Sequence, residues 1–189
     1  MLVKNIIKKS AELLGFKNVV NYLDGNIEAD KDIEDDVKLF LIGVNMVNAN
    51  VASSYMELIG SNRVIAELFN RISYSEISPN NSIIEIKKIT KLNGESVSFK
   101  LFPDGVEVLS GGDLIIEYSY FPNEVSIDDS IDYYLKLNEI IFALGVVGEF
   151  LYIKGAIEEA VMWDKKFKQN MFNLTRPKRN IVMPVKEWK

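Results

Sequence analysis

The cleanest periodic stretch of the chain begins at Ile33. Ile33, Val37, Phe40, Leu41, Val44, Val47, Val51, Tyr55 and Leu58 recur three or four positions apart, with Phe40–Leu41 the one adjacent pair. That spacing lays apolar side chains along one face of an α-helix. Asp32, Glu34, Asp35 and Asp36 crowd the first turn, where carboxylates favour the positive end of the helix dipole. Gly60 is the expected stop. The pattern predicts a helix over 32–59, about 40 Å long at a rise of about 1.5 Å per residue. Ahead of it, Leu2, Ile6, Leu13 and Leu14 predict a shorter helix closed by Gly15, and polar residues 21–31 predict a loop.

Beyond Gly60 the period shifts to two. Ile84 and Ile86, then Val97, Phe99 and Leu101, then Val106 and Val108, then Leu114, Ile116, Tyr118 and Tyr120 alternate with polar neighbours. Turn sequences divide them: Pro79-Asn80-Asn81, Asn93-Gly94, Pro103-Asp104-Gly105 and Gly111-Gly112-Asp113. Asn93-Gly94 is the strongest hairpin signal, because both residues tolerate positive φ. A small antiparallel sheet of about four to six short strands is expected, closed by Phe121-Pro122.

Helical spacing then returns. Tyr134, Leu137, Ile141, Leu144, Val147 and Leu151 predict a helix over 133–154, ended by Gly155. Ile157, Ala160, Val161, Phe167 and Met171 predict the inner side of a second helix over 156–173. Ala143, Gly145, Gly148, Ala156 and Ala160 allow the two backbones to approach closely. The expected fold class is α+β: a helical bundle of one long helix and a C-terminal αα-hairpin, with a small inserted antiparallel β-sheet and an extended C-terminal arm. The expected segments are 1–61 for the N-terminal helices, 62–122 for the β insert, 123–174 for the hairpin completing the helical core, and 175–189 for the arm.

Charge is segregated along the chain. From Lys165 onward there are eight basic residues and one acidic residue, Glu187. Residues 1–164 hold fourteen basic and twenty-six acidic residues. An acidic body thus carries a basic tail, and basic tails bind acidic surfaces. The tail also contains Ile181, Val182, Met183, Val185 and Trp188, for which a purely solvated segment has no use. Pro177 and Pro184 favour an extended backbone. Arg176, Lys178, Arg179, Ile181, Val182, Val185, Lys186, Trp188 and Lys189 are therefore the candidate partner-binding residues, expected to leave their own subunit.

The chain has no His and no Cys among its 189 residues. That removes imidazole bases, thiol nucleophiles, disulfides and Cys/His zinc sites. The carboxylate pairs Asp35/Asp36, Asp128/Asp129 and Glu158/Glu159 are adjacent in sequence. Neighbours on a helix diverge, so capping is expected of them rather than acid/base chemistry. No phosphate-binding loop or calcium loop is present, and Ser without His forms no triad. No catalytic site, metal or cofactor is expected. The charge-broken start, Met1-Leu-Val-Lys-Asn-Ile-Ile-Lys-Lys, does not read as a signal peptide. No apolar run is long enough to span a membrane.

The order of these blocks resembles the tailed-bacteriophage head-completion proteins, also described as head-to-tail connector or adaptor proteins and tail accessory factors. The hairpin Glu149-Phe-Leu-Tyr-Ile-Lys-Gly155-Ala-Ile-Glu-Glu-Ala160-Val-Met-Trp163-Asp-Lys-Lys-Phe167 is similar to the alanine-rich hairpin of small phage structural proteins. The ending Val182-Met-Pro-Val-Lys-Glu-Trp188-Lys is similar to their terminal proline, basic residue and tryptophan. The segment Ile89 to Phe102 resembles their β insert. The layout agrees over nearly the whole chain and the residues agree over about the last forty. The chain departs at Glu187, where a second basic residue is usual. The resemblance implies a virion structural protein, assembled in the host cytoplasm. It implies a homo-oligomeric ring of about twelve subunits, a dodecamer, between the portal and the tail proteins. Contact with passing double-stranded DNA would be transient and non-specific, and an acidic wall would not retain it. Two other readings stand beside it: a DNA-binding protein that uses the basic arm, and a metal-dependent hydrolase built on carboxylates alone. The acidic body counts against the first and the lack of spaced carboxylates against the second.

Overall fold

A computed structural model of the chain describes residues 1–133 and 137–176. The described residues form an α+β fold with two main hydrophobic cores, one between helices and one between β-sheets, and a small third cluster of Val147, Leu151 and Ala160.

The helical part begins with α1 (Val3–Leu14) and α2 (Lys17–Leu23), joined at Gly15, whose φ of 77° suits a residue without Cβ. The helix α2 occupies the start of the stretch expected as a loop. Its Val19 and Leu23 are buried, and these two apolar positions were too few to form a stripe. The long helix α3 (Lys31–Ser54) opens on Asp30, whose carboxylate accepts from the Ile33 amide at 2.8 Å. Ile33, Phe40, Val44, Val47 and Val51 form its buried face.

The end of α3 differs from expectation. The helix stops at Ser54, and Leu58 and Gly60 belong to a strand. Gly60 serves packing: a Cβ there would lie 2.9 Å from the Tyr118 ring on the neighbouring strand. The apolar spacing ran through this junction because Tyr55 still packs on the helical core and Leu58 of the strand follows three residues later; Met56 enters that core from an irregular turn in which its amide donates to the Val51 carbonyl at 2.8 Å.

The β part comprises β1 (Leu58–Ala66), β2 (Arg71–Ser73), the short helix α4 (Tyr74–Ile77), β3 (Ile83–Lys91), β4 (Phe99–Phe102), β5 (Gly105–Val108) and β6 (Gly112–Tyr120). These strands make two three-stranded antiparallel sheets, ordered β1-β6-β3 and β2-β5-β4, rather than one sheet. Leu114, Ile116, Ile89, Val106, Val108 and Ile72 are buried in the core they share. The Asn93-Gly94 turn forms, with Gly94 at φ 85°, but the hairpin ends at the single bridge Thr90–Ser96. The chain then carries Val97 into the core and pairs Phe99–Phe102 with β5. Burial of Val97 and Phe99 thus outweighs continuation of the ladder.

The chain returns to the helices at Val125, where the Asn45 side chain both receives the Val125 amide (2.8 Å) and donates to its carbonyl (3.2 Å). Met1 and Leu2 pair with residues 130–131. The helix α5 runs Glu139–Ile153 with Asn138 as N-cap, starting later than expected, and Tyr134 lies outside the described residues. The helix α6 runs Ile157–Thr175. Helix α5 is the centre of the bundle. It packs on α1, α3 and α6. A Cβ at its Gly145 would press on both Phe167 of α6 and Val47 of α3 at 3.1 Å. Phe40 stacks on Phe150 at 4.1 Å and Phe16 meets both rings edge-on.

Among the described residues, no helix is long and apolar enough to cross a membrane.

Candidate partner-binding surface

Helix α6 buries Ala160, Phe167 and Met171. These positions define its inner side, and the rest of the helix faces outward at 100° per residue. Ile157 and Val161 were expected on the inner side. They are instead 62% and 50% exposed: Val161 lies about 120° round the helix from Phe167, and Ile157, the first residue of α6, lies about 80° round from it. Phe172, directly after Met171, is 60% exposed for the same reason. Ile157, Val161, Lys168, Phe172, Lys165 and Arg176 share one outer stripe. The Lys168 ammonium bonds to Asp164 at 2.7 Å, which raises its pKa. The Arg176 guanidinium lies 5.9 Å from the Phe172 ring. Lys166 covers the Trp163 ring at 4.3 Å.

Of the candidate partner-binding residues, Arg176 is exposed at the C-cap of α6. Lys178, Arg179, Ile181, Val182, Val185, Lys186, Trp188 and Lys189 lie outside the described residues. Thr175, expected as the first arm residue, closes the helix, its hydroxyl donating to the Met171 carbonyl at 2.9 Å. Phe172 was absent from the sequence-based set. The sequence did not mark it, because adjacent apolar residues can both be buried, as Val146 and Val147 are, and only the side of α6 that meets α5 decides between Met171 and Phe172.

A second apolar surface lies on α3, opposite its buried face. Ile42, Met46 and Ala49 line one wall of an open groove of about 400 Å³. Phe121, Pro122, Asn123 and Glu124 line the other. The paired Asn45–Val125 bonds hold that second wall against the helix. Ile42 and Met46 are about half exposed. They occupy i and i+4, and Asp35 lies two turns before Ile42 on the same stripe.

Of the carboxylates adjacent in sequence, Asp35, Asp36 and Asp129 make structural contacts. Asp36 receives Lys154 at 2.9 Å, while Asp35 faces Lys38 at 3.6 Å. Asp129 accepts from the Ser126 amide and hydroxyl, which lowers its pKa. Glu158 and Glu159 stand in the first turn of α6. A hydrogen bond from Lys9 holds the Glu139 carboxyl below the usual range. Burial raises that of Glu149, Asp164 adds to the rise, and Lys168 opposes it. Among the described residues, no three acidic side chains converge as metal ligands. Compared with known proteins, the chain matches no family model and no curated protein.

Proposed function

We propose that this protein is a virion structural component of a tailed bacteriophage, a ring of about twelve copies that joins the portal to the tail and continues the DNA channel. It acts by binding its own copies and its portal and tail neighbours, without a catalytic site or cofactor. The observation that carries the reading is the outer stripe of α6, on which Val161 and Phe172 alternate with Lys165, Lys168 and Arg176 and which leads directly into the basic, apolar-rich segment 177–189. The rest of the chain is acidic. A surface with apolar anchors and an excess of basic charge fits a protein partner of the opposite sign: the charges steer and the apolar groups hold. The residue-level resemblance of the last forty or so positions supports the same reading.

The test is to measure the mass of the full chain in solution and to image the particles. Closed rings, and binding to portal or tail assemblies, are expected. A monomer that retains double-stranded DNA in a steeply salt-dependent manner overturns the reading in favour of a DNA-binding arm.

A further inference from the structure

The Phe172 ring stands 60% exposed on a helix whose adjacent turn is anchored in the core by Phe167 and Met171. Lys168 and Arg176 flank it four residues to either side, and Lys165 lies two turns before it. The result is an aromatic knob within a basic patch. The α3 groove has complementary character. Ile42, Met46, Ala49, Phe121 and Pro122 give it an apolar floor, and Glu124 stands on its rim; further along the same helix face Asp35 is paired with Lys38. No residue of α6 lines the groove, so the knob does not fill the groove of its own subunit.

We infer that Phe172 of one copy inserts into the Ile42–Met46–Phe121 groove of a second copy, with Arg176 meeting Glu124. The occupant is identified by charge: a knob with an excess of basic residues is matched to a groove with Glu124 on its rim, on a chain whose residues 1–164 hold more acidic than basic residues. Aromatic anchors seated in apolar pockets and ringed by polar groups carry much of the binding energy at such interfaces. Knob and groove are different patches, so each copy gives one contact and receives one, which lets the contact propagate and close. This inference rests on the self-association proposed above and specifies its surface.

Sedimentation of the full-length protein tests it. Phe172→Ser and Met46→Asp should each weaken self-association by at least about tenfold, with helical circular dichroism unchanged. Mixed in equal amounts, the two variants should form heterodimers and stop, because only one intact knob and one intact groove remain to pair. Arg176→Glu should weaken assembly, and adding Glu124→Lys should restore part of it. If both apolar variants assemble as the wild type does, the interface is elsewhere, although a ring can still form. If deletion of residues 177–189 abolishes assembly and Phe172→Ser does not, the groove receives the arm and the inference fails. If the wild type stays monomeric at every concentration, the inference and the ring proposal fail together.

Discussion

The Tyr133 hydroxyl donates to the Asn48 side-chain oxygen at 2.7 Å and lies 3.0 Å from the Asn48 carbonyl. This bond ties the segment that follows the β part to the middle of α3. Asn48 is 3% exposed, and among the described residues the Tyr133 hydroxyl is the donor to its side-chain oxygen. Tyr133→Phe should therefore cost about 1–2 kcal/mol, the penalty of a buried polar group left without its partner. A lower urea midpoint with an unchanged slope is the expected result.

The same tyrosine makes a pH prediction. Burial raises its pKa well above the ordinary value of 10.0. The unfolded chain therefore loses the phenolic proton before the folded one does. The stabilisation is fully present below about pH 10 and disappears as pH rises beyond it. Unfolding midpoints should fall above pH 10 in the wild type, and the fall should be smaller in Tyr133→Phe.

Glu149 is expected to oppose the fold at neutral pH. Its raised pKa means that folding favours the protonated form. Its stabilising contribution is complete below the ordinary carboxylate pKa and is lost as pH rises through the raised value. Glu149→Gln should raise the melting temperature at pH 7 and leave it nearly unchanged at pH 4.

Gly105 has no room for a side chain. A Cβ there would stand 2.2 Å from the Ile72 carbonyl oxygen. Gly105→Ala should push β2 away from β5 and destabilise the β part by about 3 kcal/mol. No tryptophan lies within residues 58–120, and in a Trp188→Phe background the fluorescence of Trp163, on α6, follows the helical part. In this variant the amide signal of the strands should be lost at lower denaturant than the tryptophan transition. Coincident transitions would mean that the two cores unfold as one.

Phe69 is the one non-glycine residue with positive φ among the described residues, at 59°, and its ring is exposed. Such a backbone costs a bulky L-residue about 1–2 kcal/mol. Phe69→Gly removes that strain at the cost of greater freedom in the unfolded chain. A net gain of about 0.5–1 kcal/mol in unfolding free energy is expected. A loss would show that the ring makes a contact worth more than the strain.

The sequence made the helices readable where burial was one-sided and sustained. The α3 stripe from Ile33 to Val51 is such a case, and so is the break at Gly155. It misled where two elements shared one apolar run. Tyr55 and Leu58 continue the helical spacing, but Leu58 pairs with Tyr120 in a sheet, a contact across more than sixty residues that no local pattern encodes. The division of the strands into two sheets was hidden for the same reason, because alternation marks a face and not a partner. On the surface, the charges of α6 were evident from composition. Its apolar knob required knowing which side faces α5, and that followed only once Phe167 and Met171 were fixed in the core.

Leu58 and Tyr120 stand opposite each other in the first pair of the β1–β6 ladder. The β part therefore leaves and rejoins the helices at neighbouring points, about 5 Å apart as paired strands require. A segment with adjacent feet is a graft: a gene could lose it, lengthen it or exchange it for another without disturbing the bundle beneath. Related chains could then keep one helical chassis and vary the β head, so that subunits joining to their own kind in the same way would present different faces to their neighbours.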